Sequence, residues 1–248
     1  MKGSAPIKSV YVTGTDTGVG KTVASIALLH ALRARGLRAA GMKPVASGCD
    51  WIDDGWRNED ALALLAASEP KPDYADLNPY ALELPLAPEL AAADAGVVVE
   101  LERIRAAHAR LQARADVVVV EGVGGWAAPL SPTLDQADLV RALELPVLLV
   151  VGLRLGCLNH AYLTARAIAA DGCRLLGWIA VDIDPDMARA DDNFALLGQR
   201  LPAPCWGRLP HRVVPDPAEL VRFLQVPAGA LASDRAKTSG TGAIPGQC

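Results

Sequence analysis

The 248-residue sequence predicts an α/β fold, a three-layer doubly wound and mostly parallel sheet, on three observations. Short runs rich in Val, Leu and Ile recur between helical patterns, as buried parallel strands do. The chain is 51% hydrophobic but only 4% aromatic, so its core is built of Ala, Leu and Val, which suits stacked helices and parallel strands better than a sandwich. A strand-like segment also runs through a glycine-rich turn straight into a helical pattern at "VYVTGTDTGVGKT", residues 10–22.

The elements follow in order. "SVYVTG" (9–14) is the first strand, and "KTVASIALLHALRARG" gives a helix over 21–35 that stops at Gly36. "RAAGMKPV" ends as a strand at Pro44, which removes a ladder donor and sets the chain direction. Further strands read from "DVVVVEG", "PVLLVVG", "LLGWIAVD" and "APCWGRLP", and helices from 59–67, 100–114, 135–144, 158–171 and 187–200. This β-α alternation calls for right-handed crossovers. Residues 70–96, rich in Pro and Ala, read as an irregular excursion that leads into a short helix and covers the site. Residues 1–227 are expected to form one domain and 228–248, small and polar without periodicity, a disordered tail.

Composition narrows the function. The formal net charge is −4 with no Lys/Arg run, which gives non-specific nucleic-acid binding no electrostatic support. Five scattered cysteines without C-x-x-C spacing argue against a zinc site or disulfide framework, and the four histidines lack metal-ligand spacing. No signal-peptide core or run long enough to span a membrane is evident, so a soluble cytoplasmic protein with reduced thiols is expected.

The turn at 14–22 is a P-loop pattern with one extra residue, because counting back from Gly20 puts Thr15 where the first glycine belongs and Gly14 one residue early. Gly18 and Gly20 free the backbone to approach an anion, Lys21 can reach the β/γ-phosphates, and Thr22 is the expected Mg²⁺ ligand. The alternative is a tight strand-to-helix turn in which the glycines serve geometry alone. The fold is accordingly P-loop NTPase-like, with ligands at the carboxyl ends of strands. There, Glu121 is either a Walker-B-type Mg²⁺ acid or a buried strand-end carboxylate, and Lys43 points into the site or snorkels at the surface. Glu59 and Asp60, read alone, simply complement a helix dipole.

Taken in order, "GTDTGVGKT", "GMKPVASG", "RNEDALAL", "NPYALELPLAPELAA", "VEGVGGWAAPLS", "LPVLLVVGLRLGCLNHAYLT" and "GWIAVDI" strongly resemble the dethiobiotin synthase family over roughly residues 8–225. The resemblance implies an ATP-dependent ligase of biotin biosynthesis that carboxylates 7,8-diaminopelargonate with CO₂ and closes the ureido ring. It implies that the loop residues Gly18, Val19, Gly20, Lys21, Thr22 and Val23 bind nucleotide, and that Thr22, Asp60 and Glu121 hold Mg²⁺. Lys43 matches the family's catalytic lysine, Thr17 and Ser47 match residues on the diamine or its carbamate, and Gly122 and Gly124 lie in a loop over the same region. The far carboxylate of the diamine is expected at the helix start Cys157, Leu158 and Asn159 of a second subunit, which implies a homodimer with a shared site. Asn159 alone could equally be a helix cap.

Three positions depart from the family pattern: Gly18 for a glutamate, Arg154 for a lysine, and Val181 for an asparagine whose amide meets adenine. The last implies laxer base specificity, with nucleoside triphosphates besides ATP accepted and Asp182, Leu209, Pro210 and His211 left as base contacts. Two other readings compete. A ParA/MinD-like switch ATPase would carry an early loop lysine where this chain has Asp16, and a basic segment or amphipathic membrane helix. A cobyrinate-type amidotransferase synthetase domain would need a glutaminase domain, for which the sequence leaves no room.

Overall fold

The computed structural model describes residues 7–211, 217–227 and 229–231. The first half of the chain runs β1 (Ser9–Gly14), α1 (Lys21–Ala34), β2 (Ala39–Met42), β3 (Val45–Ser47), β4 (Asp50–Ile52), β5 (Gly55–Arg57), α2 (Glu59–Ala67), α3 (Tyr74–Leu77), β6 (Tyr80–Leu82), α4 (Pro88–Asp94) and α5 (Leu101–Arg114). The second runs β7 (Val117–Glu121), β8 (Pro129–Ser131), β9 (Leu134–Asp135), α6 (Gln136–Ala142), β10 (Val147–Leu153), α7 (Cys157–Ala170), β11 (Leu175–Asp182), α8 (Ala190–Arg200), β12 (Cys205–Leu209) and α9 (Pro217–Leu220).

Six strands form one parallel sheet in the order β12-β11-β10-β1-β7-β2. All six are the apolar runs of the sequence, and helices cover both faces. The alternation is visible in which core each residue joins. Val10 and Val12, Val117 and Val119, and Leu148 and Val150 face α1 and α2, whereas Tyr11, Val118 and Val120 face α4, α5 and α6. Leu149, Val151 and Trp178 complete that second face against α7 and α8. Since each residue of these strands meets an apolar layer, the runs show no polar alternation.

β1 lies between β7 and β10, and the helix that follows it, α1, packs on one face of the sheet while α6 and α7, which follow β7 and β10, pack on the other, so a crevice opens at the carboxyl end of β1. The turn at 14–22 occupies that crevice, flanked by the ends of β7 and β2.

Several small elements escaped the sequence reading. β4 and β5 form an antiparallel hairpin, and β3 pairs in parallel with β6 inside the stretch read as irregular. The hairpin turns through Asp53 and Asp54, both at positive φ (48° and 62°), a conformation that aspartate tolerates better than most residues. Three-residue strands are too short to show a period; the signal available was Asp-Asp-Gly itself. The short helix expected within 70–96 is α4, started by Pro88 in its first turn. α8 begins at Ala190 rather than 187, because Arg189 caps it in the left-handed region. Val226 and Leu231 are buried against the α1 core. Of the expected tail, 229–231 are described, and 228 and 232–248 lie outside the described residues. Among the described residues no helix is long and apolar enough to cross a membrane, and Cys49, Cys157, Cys173 and Cys205 are free thiols.

Candidate active site

Gly20 is the N-cap of α1 at φ 86°, and Gly18 sits at φ 72°, so both loop glycines adopt a left-handed backbone that side-chain-bearing residues resist. The turn therefore delivers Lys21 and Thr22 as the first two residues of a helix whose amino end faces the crevice, the arrangement that suits an anion. Lys21 is buried and its Nζ donates to the Asp16 carbonyl at 2.9 Å. Burial, reinforced by the charge on Lys43, pushes its pKa down to about 8, against the pull of Glu121, Asp60 and Asp16.

Three elements bring acids and a second lysine to the same place. β7 ends in Glu121, fully buried. α2 is capped by Asn58, whose side chain accepts from the Ala61 N–H at 3.3 Å, and this sets Asp60 in the first turn facing inward while Glu59 is exposed. Asp60 thus lines the cavity and meets Thr22 and Lys43 besides standing in the first turn of the helix. Lys43 follows β2 and is locked by its backbone on both sides: its N–H donates to the Leu77 carbonyl and its carbonyl accepts from Asn78 Nδ2, each at 2.7 Å.

Lys43 is buried, not snorkelling, and its Nζ lies 2.7 Å from Glu121 Oε1, 2.9 Å from Asp60 Oδ2 and 3.3 Å from the Gly122 carbonyl. Burial works against its charge, but Glu121 and Asp60 outweigh it and hold the ammonium protonated well above the usual range. The same contact outweighs burial at Asp60 and holds that carboxyl down. Thr22 Oγ1 completes the cluster, 2.8 Å from Asp60 Oδ1 and 2.9 Å from Glu121 Oε1.

The donor set fits a hard divalent cation. A hydroxyl has a single proton and cannot satisfy both carboxylates, and Glu121 Oε2 is buried with no hydrogen-bond partner among the described residues. One hydroxyl and two carboxylates suit Mg²⁺, which keeps most of its shell for water and phosphate oxygens and binds few protein ligands.

These groups open on a cavity of about 790 Å³. Thr17, Gly18 and Gly20 to Val23 form one wall, and Lys43, Ser47 and Asp60 another. Val123, Gly124 and Gly125 line it too, the last two beside the 14–17 end of the turn, and Pro85 to Pro88, from the stretch expected to cover the site, also contribute. Val19 does not line the cavity; its side chain is buried in the core beneath the loop. Gly122 also stays outside the lining. Its carbonyl faces Lys43, and a Cβ there would come within 2.5 Å of Tyr11 and Gln136. Packing on that side is what demands glycine.

The remaining predicted residues fall elsewhere. Cys157, Leu158 and Asn159 open α7 and do not line the cavity of this chain. The cap is Gly156, so Asn159 is not the cap residue, and the Cys157 N–H is already taken by the Arg154 carbonyl at 3.0 Å. The Asp182 carboxylate is held by Arg208 at 3.0 and 3.1 Å, and its carbonyl lies 3.2 Å from His211 Nδ1. The Leu209 side chain is wholly buried, Pro210 is half-buried, and none of these four lines the cavity. Val181 packs on the P-loop itself: a Cβ at Gly20 would meet its Cγ1 at 2.8 Å. Arg154 turns to Asp16 at 2.6 Å, which with the Thr17 N–H keeps that carboxylate ionised. Sequence reasoning missed Tyr11, Asn58 and Gln136, polar residues without a charge or motif to mark them.

The model of the AAA domain family matches residues 8–217. An ATP-dependent dethiobiotin synthetase BioD of Xanthomonas euvesicatoria pv. vesicatoria is 70% identical over 88% of this chain and 97% of its own length. The Xylella fastidiosa protein of that name is 67% identical over 83% of this chain and 91% of its own. Among solved structures, the MinC:MinD cell division protein complex of Aquifex aeolicus aligns at a TM-score of 0.51 and 14% identity, over 88% of this chain and 87% of that one, a likeness of fold alone. With a P-loop, two convergent carboxylates and a buried lysine held in a sequence this close to theirs, the chain belongs to the ATP-dependent dethiobiotin synthetase family and is a ligase.

Proposed function

We propose that this ligase converts 7,8-diaminopelargonate, CO₂ and ATP into dethiobiotin, ADP and phosphate. The observation that carries the reading is the convergence of Lys43, Thr22, Asp60 and Glu121 within hydrogen-bonding distance beside a P-loop. One amine of the diamine takes up CO₂ as a carbamate. A carbamate oxygen attacks the γ-phosphorus as ADP leaves, giving a carbamic-phosphoric anhydride, and the second amine attacks the carbonyl carbon as phosphate departs. The nucleophiles all belong to the substrate, so no enzyme nucleophile is needed and the cysteines have no part.

The chain supplies charge and position. Lys21 and the loop N–H groups hold the β/γ-phosphates, and Lys43, released from one of its carboxylates, neutralises charge that develops on the transferred group. Mg²⁺, held by Thr22, Asp60 and Glu121, would supply further charge neutralisation across the phosphates. Thr17, Ser47 and the loop 122–125 would hold the diamine and its carbamate. Ring closure is intramolecular, and fixing both amines against the carboxylated carbon is worth as much as about 7–11 kcal/mol.

A diamine this long needs an anchor for its far carboxylate, and the N–H groups of Leu158 and Asn159 from a second subunit are our candidates; Cys157 contributes its place at the helix end rather than a free donor. This makes the working unit a homodimer, in the cytoplasm. Val181 offers no hydrogen bond to a base, which supports use of nucleoside triphosphates besides ATP. The reading is tested by phosphate release from MgATP and bicarbonate with and without the diamine, scoring dethiobiotin by mass. Diamine-dependent release with matching product is expected; release indifferent to the diamine would reject the assignment.

A further inference from the structure

Gln136 is a neutral residue, buried to 1% exposure, at the first position of α6. Its backbone is fixed by what surrounds it. Asp135 caps the helix by accepting from the Asp138 N–H at 2.8 Å while the Asp138 carboxylate accepts from the Asp135 N–H at 3.1 Å, a reciprocal box that leaves the first turn little freedom.

From that base the amide reaches under the loop that follows Glu121. Its Nε2 donates to the carbonyls of Val123 at 3.0 Å and Gly125 at 2.5 Å, and its Oε1 accepts from the Val123 N–H at 3.2 Å and from the Tyr11 hydroxyl. The orientation of the amide is determined by these partners. Two carbonyls require the NH₂ end, and a backbone N–H requires the oxygen. Tyr11 is wholly buried beside Glu121, and burial first and then that charge keep its phenol protonated, so it can only be the donor to Oε1.

A side chain with every hydrogen-bonding site engaged, three of its four bonds going to one loop, specifies where that loop lies. The loop is a functional wall: Val123, Gly124 and Gly125 line the cavity, the Gly122 carbonyl accepts from Lys43, and a Cβ at Gly124 would stand 3.7 Å from Thr17 Oγ1. Only glycine fits at 122, because Tyr11 and Gln136 fill the space behind it, so the pair and the glycine form one packed unit.

We infer that Gln136, buttressed by Tyr11, is a positioning residue that sets the height of the loop 122–125 over the diamine and its carbamate, leaving the nucleotide half of the cavity untouched. This rests on the proposed reading that the loop lies over the diamine. It assigns substrate geometry to a residue outside the cavity and without charge, and it predicts that diamine and nucleotide parameters separate.

The test is steady-state kinetics of Gln136→Met, Tyr11→Phe and the double variant, with protein concentration corrected for the fraction that binds ATP. Methionine keeps length and bulk but leaves the two loop carbonyls unheld. A displacement on the scale of 1 Å can cost about 10²-fold, and we expect Gln136→Met to lower kcat/KM for the diamine by about that factor while KM for ATP stays within about threefold. Tyr11→Phe leaves all three bonds to the loop and is expected to lose less than about tenfold, in keeping with one neutral hydrogen bond. The double variant removes the stranded phenol, so its Tm should recover part of what Gln136→Met loses while the diamine KM stays raised. A merely structural role would lower Tm and the active fraction and leave both KM values alone. Wild-type diamine kinetics in Gln136→Met would overturn the inference by itself. A wild type without diamine-dependent release would remove the proposed function and this inference together.

Discussion

Replacing Lys43 by methionine separates the two roles we propose for that side chain, stabilising the free protein and acting in the reaction. In the structure its ammonium is 2.7 Å from Glu121 Oε1, and the Lys43 and Glu121 side chains are only 4% and 0% exposed; Asp60, the other partner, is 43% exposed. The exposed leg is worth little, in the range of about 0–1 kcal/mol for ion pairs in contact with water. The buried leg behaves differently, because removing one member strands a carboxylate whose other oxygen already lacks a partner among the described residues, and that costs about 3–5 kcal/mol. At about 2–4 °C per kcal/mol for a domain of this size, Lys43→Met should lower Tm in metal-free buffer by roughly 10 °C. Adding Glu121→Gln removes the stranded charge and should restore most of the loss without restoring activity. Product formation should fall by about 10²–10³-fold, the scale of a lost transition-state donor, while ATP binding is largely kept. Thermal unfolding of the single and double variants, beside single-turnover product assays, measures both. An unchanged Tm in the single variant, or a double variant no more stable than it, would refute the buried-pair argument, and near-normal turnover would remove Lys43 from the mechanism.

Thr22→Val keeps the shape of the helix start but removes the hydroxyl that meets Asp60 and Glu121. The Mg²⁺ concentration for half-maximal turnover should rise about tenfold or more, as expected for losing a ligand to a charged partner; an unchanged Mg²⁺ titration would exclude Thr22 as a ligand. His108, on α5, donates from Nε2 to Ser9 Oγ at 3.0 Å, since the Ser9 hydroxyl itself donates to the Lys8 carbonyl. Burial pushes its pKa down to about 4 from 6.5, so between those values the unfolded chain binds a proton that the folded chain refuses. The stability it permits is complete above about pH 6.5 and declines as pH falls toward 4, by at most about 3 kcal/mol. Urea midpoints of the wild type and His108→Leu at pH 7.5 and 5 should show a smaller acid loss in the variant, and equal losses would refute this. Wild-type kcat/KM should vary by less than about tenfold across nucleoside triphosphates and sharpen toward ATP in Val181→Asn, because the Val181 side chain can offer a base no hydrogen bond and apolar contacts discriminate poorly; a strong ATP preference in the wild type would overturn that reading.

Legibility in the sequence tracks the kind of physics each residue uses. The six sheet strands were readable because both faces are buried, which turns each into a continuous apolar run, and the β1–α1 turn because phosphate binding demands glycine, lysine and threonine at fixed spacing. Lys43, Asp60 and Glu121 each carried an ordinary explanation when read alone. What distinguishes them is convergence from β2, α2 and β7, and no local pattern records that Lys43 is 17 residues from one partner and 78 from the other. Gln136 is the extreme case: uncharged, adjacent to a helix cap, 125 residues from Tyr11, and meaningful only through the loop carbonyls it holds. Its trace in the sequence is indirect. Gly122 cannot carry a Cβ because Tyr11 and Gln136 stand behind it, so the glycine that the resemblance puts in a loop over the diamine also records a buried side-chain pair. Gly122→Ala should therefore be relieved in part by shortening the pair with Tyr11→Ala, whereas a glycine kept for substrate approach would gain nothing from space made on its far side. Comparing the folded fraction and diamine KM of Gly122→Ala with those of the double variant decides between the two: partial recovery places the constraint behind the loop, and none places it in the cavity.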